Sequence, residues 1–158
     1  MKRIVLALVM LMFLCSSVYA AGTVAITGDT IYIKNAIARK VLTLTWVGDG
    51  AGGTAGQVPT TTITANTYNI VGWYLYSVET NPGTTAPTDN YDIVINDADG
   101  LDITGALIMN RDTANTELVL IGFAAHGYPI VRSDLSFVLT GQSVASATGT
   151  AILTFVPE

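Results

Sequence analysis

After residue 20 the chain alternates between apolar and polar positions in short runs, separated by clusters of Gly, Asp, Asn and Pro. A period of two places apolar side chains on one face of a β-strand and polar ones on the other. The segment from Lys40 to Val47 shows the pattern most plainly, reading Val41, Leu42, Thr43, Leu44, Thr45, Trp46. Similar runs predict strands over Thr60–Thr67, Asn69–Glu79, Tyr91–Asn96 and Leu118–Phe123. Leu135–Thr140 and Thr148–Val156 are predicted to close the chain as an antiparallel pair. Near the start, Val24–Thr27 and Thr30–Lys34 read as two short strands around a Gly28-Asp29 turn. Asp97-Ala98-Asp99-Gly100 predicts a second reversal, with Leu101–Ile103 pairing back across it, and Gly105–Asn110 is the one stretch suited to a helical turn.

The residues that fill these runs support the same class. Thr, Val and Ile dominate, and β-branched side chains lose freedom in helices but pack well on pleated sheets. Turn signals at this spacing, without an internal repeat, predict an all-β protein. The expected architecture is one domain over residues 21–158, an antiparallel two-sheet β-sandwich of jelly-roll or immunoglobulin-like type.

Residues 1–20 follow a different pattern. Lys2 and Arg3 precede an unbroken apolar run of eleven residues, Ile4 to Leu14, and Ser16-Ser17-Val18-Tyr19-Ala20 supplies small residues where a signal peptidase cuts. This is the layout of a secretory signal-peptide helix, with export to the periplasm or the cell exterior as its consequence. Spanning a bilayer takes roughly 20 apolar residues, so no stable membrane anchor is expected once the leader is cleaved. Cys15 follows the bulky Leu14, which disfavours a lipidated cysteine, and as the single cysteine it cannot form a disulfide within the chain. The domain must therefore hold together through its hydrophobic core.

Beyond Ala20 only five basic residues face twelve acidic ones, a net charge of −7. Such a surface repels phosphate backbones and anionic membranes, so nucleic acid is excluded as a partner. Candidate chemistry is sparse. His126 is the single histidine and lies in the loop-like Ala124-Ala125-His126-Gly127-Tyr128-Pro129, and no serine has a nucleophile-elbow context. One histidine without a usable cysteine does not make a zinc site. The loop from Gly48 to Pro59 carries five glycines in its first nine residues, yet no lysine and no following helix, so it does not match a phosphate cradle. Asp97, Asp99 and Asp102 are the calcium candidates, but an EF-hand register centred on Gly100 would put Ala106 where a bidentate Glu belongs; a tight Asp-Gly turn is the simpler assignment. Glu79 and Glu117 have no acid placed opposite them for glycoside hydrolysis. For a contact surface or a glycan, the aromatic candidates are Tyr74, Tyr76 and Trp46; Trp73 must face away from the two tyrosines.

Three blocks carry a resemblance: Gly72-Trp73-Tyr74-Leu75-Tyr76 followed by Asn81-Pro82-Gly83-Thr84-Thr85-Ala86-Pro87-Thr88-Asp89-Asn90-Tyr91-Asp92-Ile93; then Asp97-Ala98-Asp99-Gly100-Leu101-Asp102-Ile103-Thr104-Gly105-Ala106; then Asn110-Arg111-Asp112-Thr113-Ala114-Asn115-Thr116-Glu117. Together with Thr148-Gly149-Thr150-Ala151-Ile152-Leu153 they resemble small virion structural or accessory proteins of tailed bacteriophages and prophages. The resemblance implies a non-catalytic subunit, such as a capsid decoration or head-fibre protein, that needs no cofactor. Its partners would be other structural subunits, including copies of itself, and its location the virion. A leader is unusual for a subunit assembled inside the cell, so a host surface protein sharing the domain stays open as the origin. Two other functions remain: a secreted carbohydrate-binding module, and an extracellular fibre or pilus-like subunit that exchanges an edge strand.

Overall fold

The computed structural model describes residues 21–33, 36–50, 54–122 and 127–157. The predicted leader, Cys15 and His126 lie outside them. Among the described residues, eight strands form two antiparallel sheets and there is almost no helix. The strands are β1 (Thr23–Ile33), β2 (Ala36–Val47), β3 (Thr61–Ile63), β4 (Tyr74–Pro82), β5 (Asp92–Asn96), β6 (Glu117–Leu120), β7 (Leu135–Thr140) and β8 (Thr148–Val156). The larger sheet has the order β1-β2-β8-β4-β6 and the smaller β3-β7-β5.

The ladders nest. β2 pairs with β8, β3 with β7 and β4 with β6. Strand β5 completes the set by bridging to the segment after it, Asn96 to Asp102 and Tyr91 to Arg111. The expected pairing of β7 with β8 is therefore wrong: they are adjacent in sequence but belong to different sheets. Both present alternate residues inward, with Leu135, Phe137 and Leu139 from one and Ala151, Leu153 and Phe155 from the other, so each contributes to the common core from its own side.

The Gly28-Asp29 turn is also corrected, since β1 runs straight through both residues. Gly28 serves a close approach instead: a Cβ there would lie 2.9 Å from the Tyr68 ring. Asp29 accepts a hydrogen bond from the Thr30 amide at 2.7 Å, a local contact compatible with an extended chain. The run predicted over Asn69–Glu79 starts later, at Tyr74, because residues 64–70 form turns that return the chain to the core at Ile70. A bulge between Leu75 and Ser77 then shifts the alternation, which lets both Leu75 and Val78 point inward. Leu101–Ile103 does pair back, through Asp97 N–H to Leu101 O (2.9 Å) and Ile103 N–H to Ile95 O (2.9 Å). The expected helical turn over Gly105–Asn110 is corrected: reverse-turn hydrogen bonds lie across 102–109, but Gly105 and Ala106 have positive φ (60° and 63°), so the stretch is a run of turns and not a turn of helix.

The centre of the core is Trp46, fully buried on β2 and packed against Tyr91 at a ring separation of 5.8 Å. Gly149, opposite it on β8, makes room for the indole: a Cβ there would come within 2.5 Å of Trp46 Cζ2. Near one end of the sheet, Lys40 is almost buried. Its ammonium donates to the carbonyls of Tyr68 and Asn69 and lies 4.6 Å from the Trp73 ring centroid. Burial lowers its pKa, because the charged form gives up water for carbonyls and a ring face.

Gly149→Ala should destabilise the protein by about 1–3 kcal/mol through overpacking against the indole. Urea denaturation of this variant, alone and combined with Trp46→Leu, checks it: the second change should recover part of the loss, giving a non-additive cycle.

Candidate interaction surface

The ladder registers define which residues face away from the core on the larger sheet. One row across it reads Thr27, Thr43, Ile152, Glu79, Leu118; the next reads Asp29, Val41, Thr154, Ser77, Leu120. These residues point outward because their neighbours Leu42, Leu44, Leu153, Ala151 and Val78 point into the core. The face is dominated by Thr and branched apolar residues, with Asp29, Arg39 and Glu79 as its charges on paired positions. Leu118 and Leu120 at its far edge are 63% and 54% exposed. Exposed leucines two apart on an edge strand form a patch suited to contact with another apolar surface.

The aromatic candidates divide. Tyr74 and Tyr76 lie on the outer side, Tyr74 opposite Val156, and Tyr76 in a shallow depression with Ile31, Arg39 and Thr154. Tyr76 packs on Tyr128 at 5.3 Å with rings tilted by 50°, which is an edge-directed pair and not a flat platform. Trp46 is corrected: with no exposed surface it belongs to the core and offers nothing to a partner. Its place in a regular alternation with Leu42 and Leu44 carried that information, since those residues share its face.

The calcium candidates are separated by their hydrogen bonds. Asp97 Oδ1 accepts the amides of Asp99 (3.0 Å) and Leu101 (2.9 Å), closing the turn after β5. Asp102 accepts the Thr104 amide and hydroxyl (2.8 and 2.6 Å) and, with its other oxygen, the Ala106 amide (2.7 Å). Among the described residues, no three acidic, His or Cys side chains gather to hold a metal ion. A shallow groove of about 440 Å³ borders this turn, with Leu101, Ile103, Tyr128 and Ile130 as its apolar wall and Asp97, Asp102 and Arg132 at its rim. Among the described residues, no helix is long and apolar enough to cross a membrane.

The third of the resembling blocks is used internally as well. Arg111 is buried, donates to Met109 O through Nε (3.1 Å) and Nη2 (2.6 Å), and stands 3.5 Å from Glu117. Glu117 also accepts the Asp112 amide at 2.8 Å. Asp112 in turn accepts the amides of Ala114 (2.5 Å) and Asn115 (2.8 Å) and the Asn115 side chain (3.1 Å). These bonds, the Ala114 amide foremost, hold its pKa below the ordinary carboxylate value of 3.8. Tyr91 lies beside this group. Its hydroxyl is buried without a hydrogen-bond partner among the described residues, and burial, reinforced by Glu117 and opposed by Arg111, pushes its pKa up to about 12.

Leu118, Leu120, Ile152 and Tyr128 were not apparent as surface residues in the sequence. The run Glu117-Leu118-Val119-Leu120 is nearly all apolar, so periodicity cannot say which leucine faces out, and Tyr128 meets Tyr76 only through the fold. These observations define a class, an all-β protein of two antiparallel sheets with a sparsely charged outer face. Comparison with protein-family models, curated proteins and solved structures finds no match to this chain.

Tyr91→Phe should leave the protein at least as stable at neutral pH, with a gain of up to about 1 kcal/mol, because an unpartnered buried hydroxyl costs more than it returns. The raised phenol pKa favours the neutral form in the fold. Stability is thus intact below pH 10 and lost as pH climbs through about 12; the variant should show a shallower alkaline loss in denaturation midpoints. Asp112 has the opposite sign. Its depressed pKa supports the fold above the ordinary carboxylate range and is lost as pH falls through the folded value, so Asp112→Ala should be less stable at pH 7 and flatter in acid.

Proposed function

We propose that this protein is a non-catalytic structural subunit of virion type, a capsid decoration or head-fibre component that acts by assembling with other subunits and with copies of itself. The observation that carries this is the outer face of the larger sheet: broad, weakly charged, and ending in two well-exposed leucines. Exposed apolar surface of this kind favours a protein partner.

The nested ladders support a finer assignment of the fold. Pairing β2 with β8, β3 with β7, β4 with β6 and β5 with its own following segment is the ribbon order of a jelly-roll sandwich. An immunoglobulin-like order does not nest in this way. Jelly rolls serve in viral capsids and in lectins, so the architecture fits the leading function by analogy and keeps the glycan alternative in play. The internal use of Asp97, Asp102, Arg111, Asp112 and Glu117 fits a motif that builds loops rather than one that performs chemistry. A leader over residues 1–20 would send the subunit out of the cytoplasm.

A carbohydrate-binding module has one specific observation in its favour, the Tyr76–Tyr128 pair at the rim of the outer face. The 50° tilt between the rings makes it a poor stacking surface for a sugar, which ranks it second.

Light scattering across a concentration series tests the proposal. The wild-type chain should form oligomers, and Leu118→Glu with Leu120→Glu should shift them toward monomer while changing stability by less than about 0.5 kcal/mol. A strict monomer that binds neither itself nor phage particles would refute assembly, and glycan-array binding abolished by Tyr76→Ala would move the assignment to the second function.

A further inference from the structure

β1 is surplus to the nested set. It lies at the edge of the larger sheet with β2 as its sole strand partner among the described residues, and it is eleven residues long. The other edges are short or occupied. β3 has three residues and β6 four. The free side of β5 is taken by the segment that follows it: Arg111 N–H donates to Tyr91 O (2.7 Å), Ile93 N–H to Ile108 O (3.2 Å) and Ile103 N–H to Ile95 O (2.9 Å). Long edges are usually blunted by lysine, proline or inward charge. From Thr23 to Ile33 there is no Lys, Arg, Glu or Pro, and Asp29 is the single charge.

The backbone groups available along this edge follow from the ladder. Gly48 N–H donates to Ala147 O at 2.8 Å, so even-numbered residues of β2 direct their amides and carbonyls toward β8 and odd-numbered ones toward β1. On β1 the residues free to bond outward are then Val24, Ile26, Gly28 and Thr30. Two local contacts agree: Thr30 N–H is held by its neighbour Asp29 (2.7 Å), and Ile26 O accepts from the Tyr68 hydroxyl (3.5 Å). Neither group is engaged by β2.

We infer that β1 pairs antiparallel with β1 of a second copy about a two-fold axis at Thr27, joining the two larger sheets into one. This rests on the assembly function proposed above and adds a second contact to it, at the sheet edge opposite Leu118 and Leu120. Three features select a second copy and this register. The bulge at Ile31/Tyr32 leaves Thr23–Ile31 as the regular stretch, and its midpoint is Thr27. Pairing about that point matches outward-bonding residues with one another, Val24 with Thr30 and Ile26 with Gly28. It also sets each Asp29 opposite Ala25, so the one charge on the edge never meets its own copy. The Asp29–Thr30 and Tyr68–Ile26 contacts yield to ladder bonds on association. Nine paired residues span roughly 30 Å, which buries less than the roughly 1,200 Å² of a stable interface, so the contact is concentration-dependent in isolation.

At the axis the two Thr27 side chains form a non-hydrogen-bonded pair, where Cα atoms stand about 4.5 Å apart, within disulfide range. With Cys15 replaced by serine, the full chain carrying Thr27→Cys should form a dimer by disulfide under mild oxidation, and Thr45→Cys, exposed on the neighbouring strand, should not. Thr27→Lys sets two like charges face to face and should weaken dimerisation at least about tenfold in sedimentation velocity, with unchanged thermal unfolding of the monomer. Raising salt should strengthen the wild-type dimer by screening two acidic copies. Oligomers that persist unchanged in Thr27→Lys, without the Thr27→Cys crosslink, would overturn this edge while leaving assembly standing. A wild-type chain that stays monomeric at every concentration would overturn both.

Discussion

A chain with one cysteine cannot be stapled to itself, so the two sheets are held by what they bury between them. Trp46 is the centre of that contact. It comes from the larger sheet, reaches Tyr91 at the start of the smaller sheet's edge strand, and lies flush on β8 because Gly149 has no side chain to obstruct it. The rest of the core, from Leu42 and Leu44 to Phe137 and Phe155, extends this contact along both sheets. Tyr91 shows the compromise involved, since its ring fills the core while its hydroxyl finds no partner there among the described residues.

Much of the fold was legible along the chain, and the exceptions have physical reasons. β7 and β8 were placed to the residue because each alternates without interruption between turn signals. Their assignment to one sheet failed because alternation fixes which side of a strand is buried but carries nothing about which strand lies beside it. Gly28-Asp29 looked like a turn because glycine in a strand is costly unless something needs the space; the ring that needs it, Tyr68, is forty residues away in sequence. The bulge after Leu75 was hidden for a similar reason. Only the register against β8 reveals that Leu75 and Val78 share a side.

The surface was less legible than the core. The strand period put Tyr74 and Tyr76 on one side, where they lie half-buried on the outer face, and Trp46 was misassigned because an aromatic residue serves a core or a contact surface equally well in isolation. Two of the acidic residues that invited a metal, Asp97 and Asp102, accept instead from amides two or four positions along the chain, as short carboxylates in turns commonly do. Arg111, Asp112 and Glu117 form one closed group, in which a buried guanidinium organises its own loop. Residues that give the sequence its recognisable character therefore do architectural work, and the outer face they support is built from unremarkable threonines, valines and leucines.

The nesting of the ladders has a consequence for how the molecule comes into being. β2, one strand from the edge, finds its long-range partner in β8, across the stretch 48–147, and the larger sheet cannot close until that partner has been made. Contacts so distant in sequence are entropically slow to form. During that interval β1 and β2 exist as a solitary hairpin, with an apolar flank awaiting its cover. Until β8 is in place, the hairpin's unpaired β2 edge is open to the wrong strand, so the last strand of the chain guards the first two.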